Sequence, residues 1–257
     1  MAAAKKKTGE AVAKKSNTAV GKHDDIYASH GGRGQEDMSR DDYAIPRILL
    51  LQATHDFCKK QKPEYIEDAE VGDFIFLPEQ EITSGDTGFE FVPAYHRRTI
   101  IEIDPKDQGK FIREVGLEWA QNGYEPASGN EFVPSVDYYG LILFEEKEPM
   151  PALIRMKSTQ LKKASQWNTR FQLGKVRTAD GKMVPPPIWK HSYRMTTQPE
   201  ANDKGDWFGW VIEPESEVLI DHGEEVFFMA AELNEAISGD AAKYAAAANA
   251  ASQSDEM

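Results

Sequence analysis

From Phe89 to Ile103 the side chains alternate in steps of two, with Phe89, Phe91, Tyr95, Ile101 and Ile103 set against Glu90, His96, Arg98 and Glu102. A period of two over so long a run belongs to an extended strand with one buried face; a helix cannot present it. Pro93 has no amide hydrogen to give a ladder, so this strand must lie at a sheet edge or bulge there. The neighbouring segments follow suit. Val71–Pro78 reads as a strand closed by proline, Val136–Phe144 as a strand, and Pro151–Met156 as its antiparallel partner. His191–Thr197 and Trp207–Ile212 read as two more strands around a turn at Asn202, Asp203 and Gly205.

Helical patterns are few. Ser158 is placed to cap a helix that carries Leu161, Ala164, Asn168 and Phe171 at helical spacing. A second helix is expected from about Glu224 to Ile237, and Phe111–Trp119 fits neither period well. Residues 1–42 are rich in Ala, Lys, Gly and Asp without hydrophobic periodicity and read as a disordered tail. The expected organisation is a β-rich nucleic-acid-binding domain at 43–221, a C-terminal helix at 222–238 and an Ala-rich, acidic tail at 239–257, whose Ala241–Ala251 reads as a weak helix or as disorder. The fold class is mainly β (α+β): a single OB-like barrel or sandwich with one inserted basic helix.

Several chemistries are excluded or weak. The single cysteine, Cys58, rules out a disulfide scaffold and a cysteine zinc cluster within the chain. The longest purely aliphatic run, Ile48–Leu51, is far below the roughly 20 residues of a membrane span. The start of the chain, Met-Ala-Ala-Ala-Lys-Lys-Lys, has charge where an export signal needs an apolar stretch, so a cytoplasmic location is expected. There is no Gly-rich phosphate loop, no nucleophile elbow and no metal-ligand spacing among the six histidines, so no cofactor, metal or enzymatic role is expected. One enzymatic pattern remains: Asp104-Pro-Lys106 at a strand end, with Asp73 or Asp86 upstream, resembles the metal-holding strand of a nuclease. Pro105 breaks the ladder geometry such a strand needs, and Asp-Pro commonly opens a turn.

The charge distribution is more telling than its total of −13. Ten basic groups between Arg155 and Arg194 face one acid, Asp180, whereas the chain from Glu200 onward has fourteen acids and two lysines. The basic stretch is interleaved with Trp167, Phe171, Trp189 and Tyr193. On the expected helix Lys163, Trp167 and Arg170 fall on one face, with Lys162 beside it. Cations around a flat ring suit unpaired nucleic acid: the cations neutralise phosphates and the ring stacks on a base. The candidate binding residues are therefore Lys157, Lys162, Lys163, Trp167, Arg170, Lys175, Arg177, Lys182, Trp189, Lys190, Tyr193 and Arg194, with Arg98 as a second basic point. Lys175, Arg177 and Lys182 surround Asp180-Gly181, which reads as the turn of a basic hairpin. The acidic C-terminal part can compete with phosphates or dock replication proteins.

The segments Tyr43–Gln52, Val71–Phe74 and Met156–Asn168 resemble tailed-phage proteins of the single-stranded DNA-binding class over roughly residues 42–215. That resemblance implies an OB-like barrel that coats unwound DNA in phage replication and recombination, in the host cytoplasm, with an acidic tail for partner contact. The leading expectation is thus a sequence-tolerant, non-enzymatic binder of single-stranded DNA. The rivals are a virion or scaffold protein and the Asp104/Lys106 nuclease.

Overall fold

The computed structural model describes residues 45–254 except 78, 108, 116, 118–124, 128, 146 and 204; for 240–254 it describes the backbone alone. The expected N-terminal tail lies outside the described residues. The strands are β1 (Arg47–Leu50), β2 (Phe74–Leu77), β3 (Glu81–Thr83), β4 (Phe89–Asp104), β5 (Lys110–Glu114), β6 (Glu131–Leu143), β7 (Met150–Lys157), β8 (Val176–Arg177), β9 (Met183–Val184), β10 (His191–Asn202) and β11 (Gly205–Glu217). The helices are α1 (Leu161–Leu173), α2 (Val218–Asp221) and α3 (Gly223–Ser254).

All strands but β8 and β9 form one curled sheet in the order β11-β10-β4-β6-β7-β1-β2-β3, with β5 on the far end of β4. Pairings are antiparallel except β1 with β7. β4 spans the alternating segment but is covered on both faces, with Phe89 and Phe91 in the main core, Val92 and Ala94 in the outer cluster and Glu102 buried. It lies in the middle of the sheet, so Pro93 has to be a bulge, and the register with β6 shifts between Pro93 and Tyr95. Gly140 faces this point, and a Cβ there would fall 2.2 Å from the Val92 carbonyl oxygen. β6 and β7 pair as expected, as do β10 and β11 around Asn202–Gly205.

The sheet curls into a half-barrel, and β10 bonds to the turns flanking β2 and β3. The Thr197 amide of β10 donates to Gly85 O (3.0 Å), and the Thr197 hydroxyl to Gly72 O (2.8 Å). The free edge of β11 is closed by side chains. Gln52 accepts from Phe208 N (2.9 Å) and donates to Phe208 O (2.9 Å). Gln160 accepts from Trp210 N (3.2 Å), and Arg170 donates to Ile212 O.

The inner face is filled by α1, whose Ala164 and Trp167 join Phe74, Phe91, Tyr138, Ile154 and Met195 in the main core. The Tyr138 hydroxyl, buried beneath the helix, donates to Asn168 Oδ1 (2.9 Å) or to Ala164 O (3.1 Å). On the outer face α3 covers Val92, Ala94 and Leu141, and the segment after β1 covers Leu51, Ala69 and Ile75. One expectation needs correction. Ser158 does not cap α1: it sits in a preceding 3-10 turn, and the residue before the helix is Gln160, with no side-chain cap. The backbone of α3 runs on to Ser254, through the Ala-rich stretch left open between a weak helix and disorder.

Candidate nucleic-acid interface

Helical geometry allows Trp167 two affiliations. It lies near Lys163 and Arg170 on one stripe, and equally near Ala164 and Phe171 on the next. The fold chooses the second. Trp167 is 1 % exposed and touches the rings of Tyr138 (4.4 Å), Tyr193 (5.2 Å) and Phe171 (5.5 Å). Burying an indole removes about 150–250 Å² from water, a larger gain than any surface contact offers. Stacking of Trp167 on a base is therefore excluded in this fold, and the same holds for Tyr193, 4 % exposed. Trp189 is half-buried against Phe227 of α3 and belongs to the outer-face cluster.

The cations divide. Lys163 pairs with Glu200 (2.6 Å), Lys190 with Glu217 (2.9 Å), Arg194 with Glu215 (3.0 Å) and Lys182 with Asp180 (3.0 Å). Lys163 is the main reason the Glu200 carboxyl is held below its ordinary range. Lys157 donates to the Gly109 carbonyl (3.3 Å) and makes no ion pair among the described residues. Lys162, Lys175, Arg177 and Arg98 are exposed and make no ion pair among the described residues. Arg98 stands apart on β4, while its neighbour Arg97 is bound to Glu114 (2.7 Å).

What the fold brings together is a cleft between α1, the β8–β9 hairpin and the start of β10. Arg170, Lys175 and Lys190 rim a cavity of about 390 Å³ walled by Phe171, Pro186 and Tyr193. The hairpin is the expected one: β8 pairs with β9, Thr178 N donates to Lys182 O (2.9 Å), and Gly181 has φ +83°. The cleft offers charge at its rim and apolar surface within.

A second basic region was not legible in the sequence. Arg155 and Lys157 alternate on the outer face of β7, and the parallel pairing of β1 sets Arg47 beside them. Arg155 clamps both oxygens of the fully buried Asp137 (2.6 and 2.7 Å). His55 joins this group from the segment after β1. Its imidazole is pushed down to about 4, first by burial and then by Lys157 and Lys59. The only sequence signal was Arg-x-Lys at period two; the neighbours arrive through pairings between distant parts of the chain.

The residues of the nuclease pattern serve as turn supports. Asp104 Oδ1 accepts from Lys106 N (2.9 Å), and Asp73 accepts from Gly85 N (3.0 Å) and Glu70 N (3.1 Å). Among the described residues no three His, Cys, Asp or Glu side chains gather as a metal site would need. Nor, among them, is any helix long and apolar enough to cross a membrane.

A family model described as "Pam3 phage gp34-like protein" matches residues 14–243. No curated protein and no solved structure matches the chain.

Proposed function

We propose a function for a chain that belongs to the Pam3 phage gp34-like protein family, and is therefore a phage protein: it binds single-stranded DNA, tolerant of sequence, without chemically changing it. The observation that carries this reading is the convergence of Arg170 of α1 and Lys175, just before β8, on one apolar cavity, whose other rim cation, Lys190, is held by Glu217. Phosphates would meet Arg170 and Lys175 together with the exposed Lys162 and Arg177, and bases would enter the apolar cleft. This replaces stacking on Trp167 with packing against Phe171 and the prolines. The reading goes with an OB-like description of the curled sheet and with work in phage replication or recombination in the host cytoplasm. The exposed acids Glu224 and Glu225 of α3 offer basic replication proteins a docking point.

Fluorescence anisotropy with labelled oligo-dT at two salt concentrations tests the proposal. Three to five phosphate contacts predict a log–log salt slope of roughly −2 to −4. Lys175→Glu with Arg177→Glu should weaken binding at least about tenfold. No binding at low salt, or binding indifferent to those reversals, overturns it.

One observation favours a second reading, a virion or scaffold protein. At the corner of α2 and α3, Leu219, Ile220 and Phe228 are 46, 74 and 56 % exposed. Such a patch suits contact with another subunit, and light scattering of DNA-free protein would detect assembly.

A further inference from the structure

A cation half-removed from water beside other cations, with no counter-ion, raises the free energy of an empty fold. Lys157 is such a group. Burial lowers its proton affinity first, then Arg155 and Arg47, and among the described residues it has no carboxylate within ion-pair distance. Arg47, exposed on β1, likewise has no ion pair or side-chain hydrogen bond among the described residues. Both line a cavity of about 480 Å³ between β1, β7 and the turn before β5.

His55 lines the same cavity and adds a donor without a charge. Its Nδ1 accepts the Gln52 amide hydrogen (3.1 Å), so the proton of the neutral ring sits on Nε2. Arg155 is already neutralised by Asp137 and covers one face of Phe111 at 5.1 Å. Phe111 itself is 39 % exposed at the cavity wall. Of the carboxylates around the rim, Asp56 is engaged by Lys59 (3.1 Å) and Lys62 (3.2 Å), and Asp107 by Lys110 (3.2 Å). Glu64 remains exposed at the mouth. The interior thus presents two charged donors, one neutral donor and an aromatic wall.

We infer that this cavity is a phosphate-ester site, with Arg47, Lys157 and His55 around the phosphate and Phe111 beside an attached ring, as in a nucleotide. It shares no lining residue with the α1–hairpin cleft, so it stands or falls separately from the DNA-binding reading. The phosphate can belong to a free nucleotide or to a strand crossing this face. Both present the same anion next to a flat base.

Isothermal titration with thymidine 5′-monophosphate, inorganic phosphate, thymidine and oligo-dT tests it, on wild type, Lys157→Met and the exposed Arg47→Gln. The anionic probes should bind at roughly millimolar concentration or tighter, with thymidine alone far weaker. Lys157→Met should cut affinity for the preferred anion about tenfold or more while raising the melting temperature of the ligand-free protein, because a stranded cation has been removed. Arg47→Gln should weaken the anion without changing the fold. Loss confined to the mononucleotide assigns a free nucleotide; loss confined to oligo-dT assigns backbone phosphates. Wild-type affinities for every anion in both variants, or no anion bound by wild type, overturn the inference.

Discussion

Two basic regions of this molecule use their charges in opposite ways. Along α1 and β10 three cations of the sequence-visible stretch are answered by acids of the β10–β11 hairpin: Lys163 by Glu200, Lys190 by Glu217 and Arg194 by Glu215. Between β1 and β7 a smaller set, Arg47 and Lys157, makes no ion pair among the described residues. A run of charge along a chain counts groups; the tertiary partners decide how many of them a ligand can use. Lys175 and Arg177, at the start of the β8–β9 hairpin, are exposed and make no ion pair among the described residues.

The comparison can be broken most severely at Trp167. Trp167→Ala should destabilise the protein by about 3–5 kcal/mol in urea denaturation, as for a large core side chain. A cost below about 1 kcal/mol would return Trp167 to the surface and to the DNA.

Glu102 sharpens the comparison from the paired side. It is 1 % exposed, and its carboxyl is pulled down to about 2 by hydrogen bonds from Asn130, Arg113 and the Ala127 amide. A depressed carboxyl contributes stability above its unfolded value of 4.5, lost as pH falls from there toward about 2. Urea midpoints measured across that window should fall less steeply in Glu102→Gln than in wild type.

The smallest effect is expected at an answered cation. Lys163→Met should cost about 0.2–1 kcal/mol and change oligo-dT affinity less than twofold, since Lys163 is held by Glu200. A tenfold loss of DNA binding would erase the distinction between the two regions.

What the sequence made legible was local. The alternation around β4 and the meaning of Pro93 follow from backbone geometry within one segment, and so does the Asp180-Gly181 turn. The side of α1 on which Trp167 lies is not local. Stripes at helical spacing overlap, and the choice depends on Tyr138 and Tyr193, which arrive from other strands. The grouping of Arg47 with Lys157 was hidden for the same reason, because it requires the one parallel pairing in the sheet. The paired state of Lys190 depends likewise on Glu217, at the far end of β11.

β11 borders the sheet for thirteen residues, long enough to recruit a strand from another molecule and begin a ladder between chains. Gln52, Gln160 and Arg170 already occupy the backbone groups such a visitor would need at Phe208, Trp210 and Ile212. At the opposite border β3 offers only three residues. Side-chain amides thus serve as a guard against intermolecular strand exchange, and losing Gln52 would endanger solubility at high protein concentration as well as the closure of the fold.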